Sequence, residues 1–270
     1  MKLSSDDFFI NNAKKIVEEG NKRGIILRII GSIATRIHCQ EFSGLHRKLG
    51  RLGEGKQSFS DIDFVAYGKQ RKKVCELLEK EFGLKIDEAI LFYYGENRHI
   101  YYSLTPKYHV DVFFDKLSFS HDIYFGSEPG KGRLEFDYPT IPLSDLMLEK
   151  TQIHDINEKD LKDLIVILRA HELGEKDEKE ILNLRRLSQV LADDWEFYYD
   201  AKTSLEKLNV FNGIYYEKRL MTQEDFNDAR NKINAILEYL NKMPKTKKWQ
   251  KRAKKGIRKK WWRSVEEVKR

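Results

Sequence analysis

Two aspartates, Asp61 and Asp63, flank a single isoleucine inside the apolar run SFSDIDFVAYG, and a third, Asp111, interrupts another, HVDVFFD. A carboxylate buried in a strand is costly unless something pairs with it, and two on one face repel each other as well. On a strand, Asp61 and Asp63 point the same way, roughly 7 Å apart along the chain. The run carrying Asp111 would lie beside theirs in a mixed sheet. Three carboxylates converging from two strands make an oxygen-rich site suited to Mg²⁺ or Mn²⁺. A divalent cation neutralises their repulsion, which explains how such residues persist among apolar neighbours. Two ions about 4 Å apart would activate an attacking hydroxyl and steady a leaving pyrophosphate. Asp115, at the end of the same run, is a rival ligand whose position suits strand termination better.

Gly31-Ser32 supplies the other half of such a site. It follows the apolar run IILRII (25–30), where a glycine lets the backbone approach a ligand closely. A helix starting there offers free N–H groups and a partial positive charge to phosphate, and Ser32 adds a hydroxyl. Arg36, one turn on, is a further candidate phosphate contact. His38, His109 and His121 lack zinc spacing, and Cys39 and Cys75 are not placed as a pair, so satisfied core or surface roles are expected for all five.

The elements that position these residues follow from periodicity. Residues 5–20 read as a helix ending near Gly20, 25–30 as a buried strand, and a helix is expected from Ser32. A Gly-, Arg- and Lys-rich loop occupies about 41–58. A strand over 61–67, an amphipathic helix over 69–82 and a strand over 108–115 follow. AILFYYG and RHIYYSL flank a Gly95-Glu96-Asn97 turn and read as a β-hairpin, whose tyrosines could face a base. After Pro139 and Pro142 the period changes from two to 3.6. Residues 143–154, 157–172, 177–192 and 222–242 are expected to be helical. Asn157 and Thr222 are expected N-caps, and Leu161, Leu164, Ile165 and Leu168 form a core stripe. The expected domains are 1–140, α/β in character, a helical 141–243, and a basic tail over 244–270.

The combination "GS … SDIDF … VDVFFD" resembles the nucleotidyltransferase superfamily of the DNA polymerase β type. There, a Gly-Ser pair precedes a strand bearing two acids, with a third acid on a neighbouring strand. Further on, PTIPLSDLMLEKTQIHDINEKDLKDLIVIL (139–168) looks like the Lys-then-Lys-Asp-x-x-Asp segment of the abortive-infection and toxin-like nucleotidyltransferases. The likeness covers about residues 25–170. It implies an α/β (α+β) fold, a polymerase-β-like mixed sheet flanked by helices and followed by a helical domain, with the site in the cleft between them. It also implies metal-dependent transfer of a nucleoside monophosphate from an NTP to an acceptor hydroxyl or phosphate. Gly31 and Ser32 would hold the triphosphate and Asp61 and Asp63 would bind metal. Asp111 would complete that site and help deprotonate the acceptor. Lys150 would contact a phosphate, and Asp160 or Asp163 would orient Lys150 or a substrate group; helical geometry favours Asp160, with Asp163 pointing further toward solvent. The chain departs from the family in the 28 residues between Ser32 and Asp61, which read as an inserted surface loop, EFSGLHRKLGRLGEGKQS (41–58).

Composition sets the broader frame. The 270 residues carry a net charge of +7, and hydrophobic residues make up 40%, as expected of a globular chain rather than a disordered one. Two cysteines are too few for a disulfide framework. No apolar stretch reaches membrane-spanning length and the start MKLSSDDFF lacks the apolar core of a leader peptide, so a cytoplasmic location without membrane contact is expected. Residues 245–263 hold eleven Lys or Arg and no acid, while the rest of the chain has more acids than bases. Trp249, Trp261 and Trp262 interleave with those cations, a pattern suited to RNA or another polyanion through phosphate contact and base stacking. Three functions fit: an active transferase modifying a small molecule, a protein or an RNA end; a catalytically silent nucleotide- or RNA-binding module; and the toxin of a toxin–antitoxin pair.

Overall fold

The computed structural model describes residues 5–51, 53, 58–104 and 107–265. The first four residues of the start and positions 52 and 54–57 of the expected loop lie outside these. From the N-terminus the chain forms α1 (Ser5–Lys22), β1 (Leu27–Ile29), α2 (Gly31–His38), α3 (Ser43–Leu49), β2 (Asp61–Ala66), α4 (Arg71–Glu76), β3 (Lys85–Ile86), α5 (Glu88–Tyr94), β4 (Arg98–Leu104), β5 (Lys107–Phe114), β6 (Lys116–Ser118) and β7 (Asp122–Tyr124). It continues through α6 (Leu143–Thr151), α7 (Glu158–Ala170), β8 (Glu172–Gly174), β9 (Ile181–Asn183), α8 (Leu184–Leu191), α9 (Trp195–Glu217), α10 (Gln223–Lys242) and α11 (Lys247–Ala253). Among the described residues, no helix is long and apolar enough to cross a membrane.

The chain is mixed α/β and divides into two compact units, neither continuous in sequence. One comprises Met1–Ile37, Gly55–Leu117 and Tyr124–Pro142; the other comprises His38–Glu54, Ser118–Ile123 and Leu143–Arg270.

The first unit is built on a five-stranded sheet of order β1-β2-β5-β4-β3. β2 and β5 run parallel, while β1–β2, β5–β4 and β4–β3 are antiparallel. Alternation along β2 and β5 sends Ile62, Phe64, Ala66, Val110, Val112 and Phe114 to one face, where all are buried. Phe9, Ala13, Ile16 and Val17 of α1 are buried with them, at the helical spacing the sequence shows. Each such aliphatic or aromatic burial contributes about 1.5–3 kcal/mol. The polar alternates, Asp61, Asp63 and Asp111, therefore share the opposite face.

The second unit is mainly helical. α6 is buried on all sides, and α7 buries the expected stripe Leu161, Leu164, Ile165 and Leu168. The Asn157 side chain accepts from the Asp160 amide, and Thr222 with Asp225 forms a capping box, as expected.

Several elements differ from the sequence reading. Residues 88–94 are the helix α5, not a hairpin arm: the Asp87 carboxylate caps it by accepting from the Ile90 amide at 3.0 Å. That cap outweighs the strand preference of the aromatics. The expected loop over 41–58 contains α3. The expected helix over 177–192 is helical only from Leu184, because 181–183 pair with β8 in parallel and Asn183 then caps α8. The 23-residue α9 covers a stretch for which no helix was expected, although Asp194 caps it and Trp195, Phe197, Ala201, Leu205 and Leu208 bury one face.

Candidate active site

The acidic face of the first unit is set by strand register. β2 and β5 pair Asp63 with Asp111 and Asp61 with His109. Partners in a parallel ladder point the same way, so three carboxylates and an imidazole lie on one face of adjacent strands. Asp111 is only 2% exposed, whereas Asp61 and Asp63 are half-buried. Two neighbours engage these acids: Arg98, which the sequence reading did not single out, and His109, for which it expected a satisfied role. The Arg98 guanidinium donates from Nη2 to Asp111 Oδ2 at 2.5 Å and lies over the Phe113 ring. His109 Nε2 lies 3.2 Å from Asp61 Oδ2. Register alone could have found Arg98, since β4 places it opposite Phe113, two residues beyond Asp111 on the same face. Asp115, the rival ligand, lies past the strand end with φ of 67°, and its Oδ1 accepts from the Gly68 amide at 2.6 Å.

The Gly-Ser pair begins a helix beside this face. β1 runs antiparallel to β2, and just beyond it the Ile30 amide donates to the Asp63 carbonyl at 3.0 Å. Gly31 follows with φ of 69°, a left-handed conformation that glycine adopts without Cβ strain. It turns the chain directly into α2, which therefore begins one residue after the one bonded to Asp63. Ser32 is buried, at 4% exposure. Arg36 does not stand free for a phosphate: it donates to Ser58 Oγ at 3.2 Å and sits 3.8 Å from Asp6 Oδ2.

Lys150, Asp160 and Asp163 belong to the second unit. Lys150 Nζ lies 2.8 Å from Asp160 Oδ1 and 3.0 Å from Asp163 Oδ2. Asp163 is fully buried, contrary to the expectation that it points toward solvent. Three cationic or imidazole groups hold it there: His46 Nε2 at 2.8 Å and Arg51 Nε at 3.1 Å, both from distant sequence, and Lys150 from the preceding helix. His46 lies on α3 and Arg51 just beyond it, inside the stretch read as a surface loop. Burial pushes the Lys150 ammonium down, but Asp160 and then Asp163 outweigh it and hold the group well above its ordinary value. Burial likewise raises Asp163, and Arg51, Lys150 and His46 reverse that shift, holding it well below the usual carboxylate range. Lys150 and Asp160, with Glu149, His154 and Trp262, line a cavity of about 500 Å³ within this unit.

Carboxylate oxygens on one face are the donor set a hard divalent cation takes, and Asp61, Asp63 and Asp111 fit it in type and register. Among the described residues, no three Asp, Glu, His or Cys side chains stand close enough to hold one ion as they are. Asp61 is turned toward His109 and Asp111 toward Arg98. No family model, curated protein or solved structure matches this chain.

Proposed function

We propose that this chain is a metal-dependent nucleotidyltransferase of the polymerase-β kind, transferring a nucleoside monophosphate from an NTP to an acceptor with release of pyrophosphate. The observation that carries the reading is the parallel pairing of Asp63 with Asp111, beside a helix that begins at Gly31-Ser32. Asp61, Asp63 and Asp111 would hold Mg²⁺ or Mn²⁺ once the first and last turn away from His109 and Arg98. Bound there, such ions would acidify the attacking hydroxyl and spread the charge of the leaving pyrophosphate. Asp111 takes up the acceptor's proton as its oxygen bonds to the α-phosphorus and the α–β phosphoanhydride bond breaks. The α2 amides and the Ser32 hydroxyl bind triphosphate oxygens, as a helix N-terminus does for anions. Lys150, which Asp160 and Asp163 keep charged, is engaged in ion pairs within the second unit and is given no part in this site.

One observation favours a second reading, a nucleotide-binding module without catalysis: Arg98 already supplies Asp111 with a positive partner. Calorimetric titration of NTP with and without Mn²⁺, followed by incubation with α-labelled NTP and cell extract, separates the two. Transferase activity predicts Mn²⁺-dependent binding and a labelled product that Asp63→Asn removes, with an unchanged circular dichroism spectrum. NTP binding without product or pyrophosphate supports the silent module. No NTP binding in either condition overturns both.

A further inference from the structure

The basic C-terminal segment does not use its tryptophans as the sequence suggests. All three pack on the second unit. Trp249 lies edge-on to Tyr198, with ring centroids 5.3 Å apart. The indole N–H of Trp261 donates to the buried Asp200 carboxylate at 2.8 Å. Trp262 stacks on His154 at 3.6 Å between centroids and 13° between planes. Cations of the segment support the same docking: Lys248 pairs with Asp193, Arg252 pairs with Glu196 and lies 4.6 Å over the Trp195 ring, and Arg263 donates to the Phe119 carbonyl. Between residues 248 and 263 the tail is thus pinned by aromatic and ionic anchors.

What remains outward is charge. Lys247 and Lys251 are four residues apart on α11, one face round from Lys248 and Arg252, and Lys254 continues their row. Lys255, Arg258 and Lys259 follow in the chain; all six are exposed, and none forms an ion pair with a described residue. We infer that this docked row is a binding surface for the phosphodiester backbone of double-helical nucleic acid. Three features exclude other occupants. A membrane-binding helix presents its tryptophans outward, and α11 turns Trp249 inward. A protein partner needs a cluster of apolar or aromatic anchors at the centre of its footprint, and among the cations of this row stands a single exposed large apolar side chain, Ile257. Single strands are held largely by stacking on aromatic faces, and here Trp262 is stacked on His154 with Lys260 over its ring, while Trp249 has Tyr198 and Lys245 against it. A fixed row of cations without stacking faces matches regularly spaced phosphates and reads no base.

The inference does not rest on the nucleotidyl-transfer reading, and its test leaves the acidic face untouched. Fluorescence anisotropy of the full chain would be measured with labelled RNA duplex, DNA duplex, single-stranded RNA and anionic phosphatidylglycerol vesicles. Wild-type protein is expected to bind a duplex irrespective of sequence, losing roughly a thousandfold in affinity between about 50 and 200 mM salt if all six cations engage. Comparing the RNA and DNA arms tells which helix geometry the row fits. The variant Lys247→Gln/Lys251→Gln/Lys254→Gln/Lys255→Gln keeps every docking anchor. It should lose at least about tenfold in affinity with an unchanged melting temperature, since four phosphate contacts are removed. Tryptophan emission provides a second readout that needs no variant, because docked indoles are not quenched by backbone binding. Duplex binding absent at low salt, affinity indifferent to salt, strong tryptophan quenching with preference for single strands, or binding to vesicles alone would each overturn the inference.

Discussion

Asp163 has no access to water, yet it carries a negative charge among His46, Arg51 and Lys150. Moving a carboxylate out of water costs far more than one hydrogen bond returns, so it is the three partners together that make the position tolerable. Removing one of them leaves charge without compensation. Lys150→Met is therefore expected to destabilise the protein by about 3–5 kcal/mol, as breaking a buried ion pair does. Lys150→Arg should recover part of that loss; urea denaturation of the three proteins measures both. A loss under about 1 kcal/mol would mean that Arg51 and His46 suffice. Periodicity on α7 alone sent Asp163 toward solvent because two of its partners, His46 and Arg51, lie more than a hundred residues earlier in the chain and the third, Lys150, stands on another helix. Asp111 repeats the lesson on the sheet: its apolar surroundings were legible, but the Arg98 guanidinium that compensates it was not.

At the scale of elements, the strand-to-helix turn at Gly31 illustrates what a dipeptide specifies. A left-handed φ costs a residue with a Cβ about 1–2 kcal/mol, and the turn is tied to β2 through the Ile30 amide and Asp63 carbonyl. Gly31→Ala should lower stability by about 1 kcal/mol and shift the start of α2 away from Asp63. Under the proposed function it should also weaken NTP binding more than it weakens folding, which titration calorimetry beside thermal melting would resolve. Unchanged binding would remove the α2 N-terminus from the phosphate site. Two other elements show where local pattern misleads. Aromatic residues over 90–94 favour a strand, yet Asp87 caps them into α5, leaving Phe92 and Tyr93 exposed. Residues 181–183 look helical until their ladder with β8 is formed, a pairing that no local period announces.

For the molecule as a whole, acid is the expected weakness, and the second unit holds the groups responsible. Burial pushes His171 down to about 4 from its ordinary 6.5, opposed by Glu180 beside it. The unfolded chain therefore binds a proton at this position first, and stability rises with pH across that window. It is fully present above about 6.5 and lost as pH falls toward 4. Burial raises Glu180, but the His38 hydrogen bond and the charges of His38 and His171 hold it below its ordinary value. Its contribution is present above the usual carboxylate range and is lost at lower pH, in the same direction. Denaturation midpoints measured from pH 7 to pH 4 should fall, and His171→Asn should flatten the slope between about 6.5 and 4. An equal slope in wild type and variant would place the acid sensitivity elsewhere.

By itself the sequence determined the strands with buried alternates, the Gly-Ser start of α2, the caps at Asn157 and Thr222, and the confinement of excess positive charge to the tail. These are local consequences of side-chain period, backbone freedom and composition, readable within a few residues. The tertiary structure alone decided that Asp63 stands beside Asp111, that Arg98 and His109 engage the acids, that Asp163 is buried, and that the tryptophans anchor the tail instead of facing a ligand. Each of these depends on side chains brought together from far along the chain. Burial of charge depends on which partner is near, and proximity across such separations is a property of the packed fold.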